Sequence, residues 1–423
     1  MRDRPLHSIQ NPTGPAILLD CFRAALDAVD GRVCVRTQLA RERISGQWHV
    51  VAIGKAAGSM AAGAHDYLGR RMGESLVITK AGNCPALLAS LPQLTVIESA
   101  HPRPDQRSLD AGRSLVAFVK ARSPDARLLI LVSGGTSSLV EDPCAGIELA
   151  DLQYVNDWAL ASGRSIEEVN LVRRELSRLK GGGLATLIGP REALALMISD
   201  VPNDDPRIIG SGLLHAPASR TTSHLELPAR IVALLDRARR CPEPRKTVRS
   251  PPCRIVASIR DARRAAGACG KARGLKVRYG RGRFSGNAAV LGARFARSII
   301  TSAPKTLWVW GGESTVELPP NPGRGGRNQH LALSSATKMA GIGAVWLLAA
   351  GTDGVDGCSE DAGALIDGST IERGVAVGAH ALTSLARADS GRFLEATGDL
   401  LYTGPTATNV GDIVLGLKLG PAP

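Results

Sequence analysis

His49-Val50-Val51-Ala52-Ile53-Gly54-Lys55-Ala56-Ala57-Gly58 begins as a short apolar run, turns through glycine, and continues into a helix-forming stretch. The pattern recurs along the chain. Leu128-Leu129-Ile130-Leu131-Val132 meets Ser133-Gly134-Gly135-Thr136, and residues 193–198 meet Ser199-Asp200-Val201-Pro202. In the second half Thr306-Leu307-Trp308-Val309-Trp310 meets Gly311-Gly312-Glu313, and residues 344–350 meet Gly351-Thr352-Asp353-Gly354. Buried strands that alternate with helices predict an α/β fold with parallel sheets covered on both faces. Such sheets bind ligands at the carboxyl ends of their strands, where every one of these glycine turns falls.

The 423 residues are enough for two to three domains, and 44% apolar with 22% charged residues is the composition of a folded chain. No apolar run approaches the roughly 18 residues of a membrane span, and the first residues lack a secretory core, so a cytoplasmic protein is expected. The eight cysteines form no C-x-x-C pair; they read as reduced and mostly small core residues rather than a zinc site or disulfide framework. Net charge is +13. Residues 237–283 hold sixteen Lys/Arg against Glu243 and Asp261, so the rest of the chain is close to neutral. This block has one aromatic residue, Tyr279, and lacks the stacking residues of a single-strand binder. It reads as a solvated linker with one helix face, and nucleic acid is not the expected partner.

The spacing predicts a helix over 166–180. Ile166, Val169, Val172, Leu176 and Leu179 form an apolar stripe; Asn170, Arg173, Ser177 and Lys180 form a polar one; Gly181-Gly182-Gly183 stops the helix. The polar stripe is either an ordinary wet basic face or a face turned inward toward an anion.

The turns supply the parts of phosphoryl transfer, which needs positioning and charge neutralisation more than covalent chemistry. Ser133 to Ser138 offers amides and hydroxyls to a phosphate. Lys55 offers a point charge, and Gly323-Arg324-Gly325-Gly326-Arg327 offers bidentate donors. Asp200, Glu313, Asp353 and Asp356 follow strands and suit a magnesium ion shared with phosphates. No G-x-x-x-x-G-K-[ST], G-x-G-x-x-G/A, G-x-S-x-G or H-E-x-x-H sequence is present. P-loop, dinucleotide, serine hydrolase and catalytic zinc readings therefore lack positive signals.

Taken together, the motifs resemble the glycerate 2-kinases that carry a C-terminal MOFRL domain, some of which bear the older name hydroxypyruvate reductase. The resemblance rests on Gly54-Lys55-Ala56-Ala57, His101-Pro102-Arg103-Pro104-Asp105, Ser133-Gly134-Gly135, Asn170 to Ser177, Lys180-Gly181-Gly182, Ser199 to Pro206, Gly311 to Thr315, Gly323 to Gln329, Gly351 to Gly357, and Thr403 to Val410. They occur in family order over nearly the whole chain. The resemblance implies two three-layer α/β/α domains with mostly parallel, Rossmann-like sheets and an interdomain cleft. The expected divisions are a glycerate kinase domain at 1–240, a basic connecting segment at 241–303 and a MOFRL domain at 304–423.

It further implies ATP-dependent phosphorylation of the 2-hydroxyl of D-glycerate with Mg²⁺ or another divalent cation. The alternatives are a related sugar acid or NAD(P)-dependent hydroxypyruvate reduction. Lys55, Arg327 and Asp200 would be catalytic. Ser133, Gly134, Gly135, Asn170, Arg173 and Lys180 would bind substrate or phosphate; Gly311, Gly312, Glu313 and Asn409 would bind nucleotide; Asp353 and Glu313 would hold metal. A homodimer is also expected. Several positions depart from the family pattern, among them Ser211-Gly212-Leu213-Leu214, where Ser-Gly-Pro-Thr is usual. Thr136 and Asn203 stand where glycine is usual, Gly183 where arginine is usual, and Asn287 where glutamate is usual.

Overall fold

The alternating apolar runs and helix formers build two six-stranded sheets, one in each of two units. A computed structural model describes residues 13–216, 222, 225–240 and 250–420. The N-terminal unit comprises 29–258 with 407–410; the C-terminal unit comprises 259–406 and 411–423 together with the segment up to Ala28. Among the described residues no helix is long and apolar enough to cross a membrane. Of the described cysteines none is in a disulfide; Cys21 is fully buried, and Cys144 and Cys253 are partly buried against apolar clusters.

The first helix, α1 (Gly14–Asp27), packs within the C-terminal unit. The N-terminal unit then runs α2 (Gly31–Glu42), β1 (Trp48–Ile53), α3 (Ala57–Leu68), β2 (Met72–Lys80), α4 (Ala86–Ala89), β3 (Leu94–Ser99), α5 (Gln106–Lys120) and β4 (Leu128–Val132). It continues with α6 (Thr136–Leu139), α7 (Leu149–Ala161), α8 (Ile166–Glu175), α9 (Gly183–Ile188), β5 (Ala193–Ser199), α10 (Ala229–Arg240) and β6 (Cys253–Ser258). All strand pairings are parallel, in the order β3-β2-β1-β4-β5-β6. Alternate strand residues such as Val51, Ile53, Ile130 and Val132 pack with α5 and α9, while α2 and α3 pack together and α3 lies on β1 and β2. The order reverses between β1 and β4, so the carboxyl ends of these strands form the topological switch point. A separate apolar cluster joins α7, α8 and α10 through Leu152, Val155, Val172, Leu176, Ile231 and Leu235.

The C-terminal unit adds α11 (Ile259–Ala272), β7 (Lys276–Tyr279), α12 (Ala288–Ile300), β8 (Thr306–Gly312), α13 (Arg327–Met339), β9 (Val345–Gly351) and β10 (Gly363–Asp367). It ends with α14 (Thr370–Ala376), α15 (Ala381–Ala386), α16 (Ser390–Thr397), β11 (Leu400–Leu401) and β12 (Asp412–Lys418). The sheet order is β11-β10-β9-β12-β8-β7. The α/β class expected from sequence holds, but parallel pairing in this sheet is confined to β7 with β8. The other four pairings are antiparallel, because the C-terminal strand β12 inserts between β8 and β9 running against both, and β10 returns directly from β9.

The compact units also cut the chain differently from the boundaries expected at 240 and 304. Residues 259–303 include α11, β7 and α12, which are integral to the second sheet and its covering layers. Residues 241–249 lie outside the described residues. Several cations of the basic block are used structurally: Arg254 pairs with Glu42 at 2.9 Å, Arg273 with Asp20 at 2.8 Å, and Arg263 donates to Gly282 O at 2.9 Å.

Candidate functional site

The switch point of the N-terminal unit is built by lacing two turns together. Lys55 N donates to Gly134 O at 2.9 Å, Ser133 N to Ile53 O at 3.0 Å, and Ala56 N to Ser133 Oγ at 3.0 Å. Ser133 is wholly buried; its Oγ accepts from Ala56 N and its amide donates to Ile53 O. It therefore braces the turn between the two strand ends. The amides of Gly134 and Gly135 find no acceptor among the described residues, so these two positions carry the donor capacity of the turn. A Cβ on Gly135 would stand 3.0 Å from Lys55 Cγ and 3.0 Å from His101 Cδ2, which places the lysine stem directly over this turn.

Asp200, at the end of β5, reaches the same turn. Its Oδ2 accepts from Asn409 Nδ2 at 3.2 Å. A Cβ on Gly134 would stand 2.0 Å from that oxygen and 2.2 Å from that nitrogen, so only glycine lets the two side chains close over the turn. Lys55, Gly134, Gly135, Asp200 and Asn409 thus form one group. Asn409, expected among nucleotide-binding residues with Gly311 to Glu313, lies in the 407–410 segment of the N-terminal unit.

The helix expected over 166–180 stops at Glu175. Its start is secured by a capping box in which Ser165 Oγ accepts from Glu168 N and Glu168 Oε2 accepts from Ser165 N, a motif contributing about 1 kcal/mol. Its end is set by competition: Arg178 N donates to Asp142 O at 2.7 Å, and Ser177 Oγ takes the amides of Leu179 and Lys180, each at 3.3 Å. The polar stripe nevertheless turns inward. Asn170, Ser177 and Lys180 are buried. Asn170 Oδ1 accepts from Ser211 Oγ at 2.8 Å and its Nδ2 donates to Ile208 O, so this side chain organises a loop. Lys180 is ion-paired with the buried Glu141. Arg173 donates to Asn156 Oδ1 at 3.1 Å. Burial holds the pKa values of Arg173 and Lys180 below their ordinary ranges, with Glu141 acting against that shift in both.

The C-terminal unit carries a second charged group around Arg327, the first residue of α13. Its guanidinium is ion-paired with Glu313, just past β8, and stands 3.6 Å from Asp412 Oδ2 at the start of β12. Asp356 caps α13 by accepting Asn328 N at 3.0 Å and Gln329 N at 2.8 Å. Burial works against the Arg327 charge, yet Asp412 and Glu313 raise its pKa above the ordinary arginine value. Burial pushes Asp356 up to about 6 and Asp412 up to about 7, despite the arginine beside them. Asp412 escaped the sequence reading. Its available signal was a carboxylate opening the apolar run Ile413 to Leu417.

Gly311 and Gly312, expected to bind nucleotide, have a packing reason to be glycine: a Cβ would stand 2.4 Å from Ile259 Cγ1 in the first case and 2.1 Å from Phe284 O in the second. Asp353 turns back on its own loop, accepting from Val355 N at 3.3 Å. Among the described residues no three His, Cys, Asp or Glu side chains converge as a metal cage.

Residues 17–240 match the model of a domain of unknown function, DUF4147, and residues 306–412 match the MOFRL family. The chain belongs to the DUF4147–MOFRL family of glycerate 2-kinases. Within this family it is 34% identical to D-glycerate 2-kinase of Thermotoga maritima, over 87% of this chain and 90% of the other. A relative from Agrobacterium vitis, 35% identical over 94% of this chain and 93% of its own, carries the provisional name hydroxypyruvate reductase. The crystal structure of glycerate kinase from Thermotoga maritima superposes with a TM-score of 0.80 and 31% identity, covering 95% of this chain and 99% of that one.

The departures from the family pattern have local structural accounts. Thr136 is buried with its hydroxyl donating to Ile53 O and Ser133 O. Asn203 adopts φ 58°, a left-handed conformation that asparagine tolerates better than most residues. Asn287 caps α12 by accepting Ala289 N at 2.9 Å and Val290 N at 3.2 Å. A side chain at Gly183 would meet Arg178 O at 1.8 Å, so an arginine there needs a different local backbone.

Proposed function

We propose that this protein is a kinase that transfers the γ-phosphoryl group of ATP to the 2-hydroxyl of D-glycerate, giving 2-phosphoglycerate and ADP. The observation that carries the reading is the group at the switch point: a lysine laid over two glycine amides, with a carboxylate fixed beside them by Asn409. The names of the family's relatives agree with it. Lys55 and the Gly134 and Gly135 amides neutralise charge on the phosphoryl group in flight. Asp200, oriented by Asn409, accepts the proton of the attacking hydroxyl.

Arg327, held by Glu313 and backed by Asp412, takes nucleotide phosphate charge. Asp353 has the donor chemistry for a divalent cation, which characteristically relies on one or two carboxylates plus phosphate oxygens rather than a protein cage. Glu313 is committed to Arg327, so it is the weaker of the two metal candidates. When bound, the cation supplies further charge neutralisation.

Nicotinamide chemistry is not favoured. The turn after β1 reads Gly54-Lys55-Ala56-Ala57-Gly58, placing a lysine where a dinucleotide site needs close backbone approach. The test is ADP release from ATP and Mg²⁺ with D-glycerate, coupled to enolase. Product that enolase converts to phosphoenolpyruvate supports the reading. Silence with D-glycerate in a folded protein, or D-glycerate-independent ADP release, rejects it.

A further inference from the structure

Helices α1 and α11 pack against each other within the C-terminal unit, and each brings a cysteine to the contact. Cys21, on α1, is wholly buried; Cys269, in the last turn of α11, is half-buried. Neither is in a disulfide, and the two thiols stand within hydrogen-bond reach of each other. Arg273 closes the same corner. Its Nη1 donates to Cys269 Sγ at 2.8 Å and its Nη2 to Asp20 Oδ2 at 2.8 Å. Asp20 precedes Cys21, so one guanidinium ties the two cysteine-bearing turns together.

The two sulfurs are unlike. Burial, and then the neighbouring Cys269, push the Cys21 thiol up to about 12, so it keeps its proton. Cys269 is within reach of solvent and has a fixed positive charge against its sulfur. A sulfur that attacks carries negative charge, and a guanidinium beside it stabilises that charge. Elsewhere thiols settle on backbone carbonyls: Cys84 donates to Pro85 O and Cys144 to Glu175 O. Core packing accounts for Cys21, whose place a small apolar side chain would fill as well. It does not account for an arginine set on the sulfur of the cysteine that faces it.

We propose that Cys21 and Cys269 are a peroxide-sensitive pair that oxidises to an intramolecular disulfide and fastens α1 covalently to α11. The chemistry has two steps. The Cys269 sulfur attacks one oxygen of hydrogen peroxide; the O–O bond breaks, the sulfur becomes a sulfenic acid, and the departing hydroxide leaves as water with the thiol proton. The Cys21 sulfur then attacks the Cys269 sulfur; the S–O bond breaks, the S–S bond forms, and the Cys21 proton leaves with the hydroxide as a second water. Two thiols lose two electrons and one peroxide becomes two waters. A dithiol reverses the bond by exchange. The pair lies wholly in the C-terminal unit and its oxidation is read without activity, so the proposal stands or falls apart from the kinase reading.

The test uses the full-length protein, reduced with dithiothreitol, desalted and treated with a small molar excess of hydrogen peroxide. Remaining thiols are blocked with iodoacetamide in denaturant, and the unreduced peptides are mapped by mass spectrometry. The expected product is a linked pair of peptides carrying Cys21 and Cys269, lighter by two hydrogens than its parts together and lost on treatment with dithiothreitol. The midpoint of thermal unfolding should rise by about 3–7 °C on oxidation, the scale of one added cross-link. Cys21→Ser should show no such rise, and dimedone should trap its Cys269 as a sulfenic acid.

Peroxide treatment that leaves both thiols open to iodoacetamide overturns the proposal, as does oxidation of Cys269 in the wild type to a sulfenic or sulfinic acid without linkage. A disulfide from either residue to a different cysteine overturns it too. Linkage with an unchanged or lowered midpoint overturns the fastening of α1. The wild-type map needs no substitution and decides even where Cys21→Ser does not fold; Cys21→Ala then serves for the dimedone measurement.

Discussion

Asn409 and Asp200, 209 positions apart in sequence, share a hydrogen bond of 3.2 Å directly above the Cα of Gly134. The bond fixes the rotamer of a carboxylate at a strand end, where proton acceptance depends on orientation. It also explains why the second residue of the Ser133-Gly134-Gly135 turn bears no side chain.

Gly134→Ala therefore has to displace one member of the pair. Overpacking of this kind costs about 1–3 kcal/mol, and the loss of alignment should lower kcat by more than the stability change alone. Urea denaturation and ADP-release kinetics check this together. A variant of unchanged stability and turnover would show that the pair does not orient Asp200.

Lys55→Ala should lower kcat about 10²–10³-fold, the usual scale for removing one preorganised electrostatic contact to a transition state. Its melting temperature should stay within a few degrees of wild type, because the backbone bond from Lys55 N to Gly134 O, which the substitution keeps, ties the two turns together. Turnover near the wild-type rate would remove Lys55 from the site.

Asp356 gives a pH signature. Burial raises its folded-state pKa to about 6, above the ordinary 3.8. Between those values the folded protein binds more protons at this group than the unfolded chain, so its contribution to stability falls as pH rises from about 4 to about 6. Asp356→Asn should remove this component while costing one accepted backbone hydrogen bond at the start of α13. The difference in urea midpoint between wild type and variant should be smaller at pH 7 than at pH 4.5. A difference that grows with pH would contradict the assignment.

Glu141→Gln should destabilise the N-terminal unit by about 3–5 kcal/mol, because it leaves Lys180 and Arg173 facing each other without a carboxylate. Adding Lys180→Met should recover part of the loss, giving a coupling energy above about 1 kcal/mol in a double-mutant cycle. Additive effects would mean that the two side chains do not act as a pair.

Much of this arrangement was written locally. The runs at His49 to Ile53 and Leu128 to Val132 are buried β strands followed by turns, and the two turns meet as the α/β pattern requires. Long-range pairings were not legible. Nothing near residue 412 reveals that β12 inserts between β8 and β9, since the short apolar run from Ile413 to Leu417 fits either strand direction. Glu141 stands next to Asp142 after Ser137-Ser138-Leu139-Val140 with no periodicity to mark it, and its partner Lys180 lies 39 residues later. The polar stripe from Asn170 to Lys180 was visible as a spacing, but whether it faced water or protein depended on α7 and α10, which sequence alone does not place.

The position of α1 has a consequence for biosynthesis. This helix is synthesised before its packing partners, α11 and the sheet face around Trp346, whose indole would lie 2.4 Å from a Cβ on Gly14. Those partners begin at residue 259. At about 5–20 residues per second, the apolar side of α1, with Ile17, Leu18, Cys21 and Phe22, is without its native cover for some tens of seconds of translation. The apolar side of α1 therefore stays uncovered throughout synthesis of the first sheet. Holdase chaperones that recognise short apolar helices should engage this segment until the later half of the chain has been made.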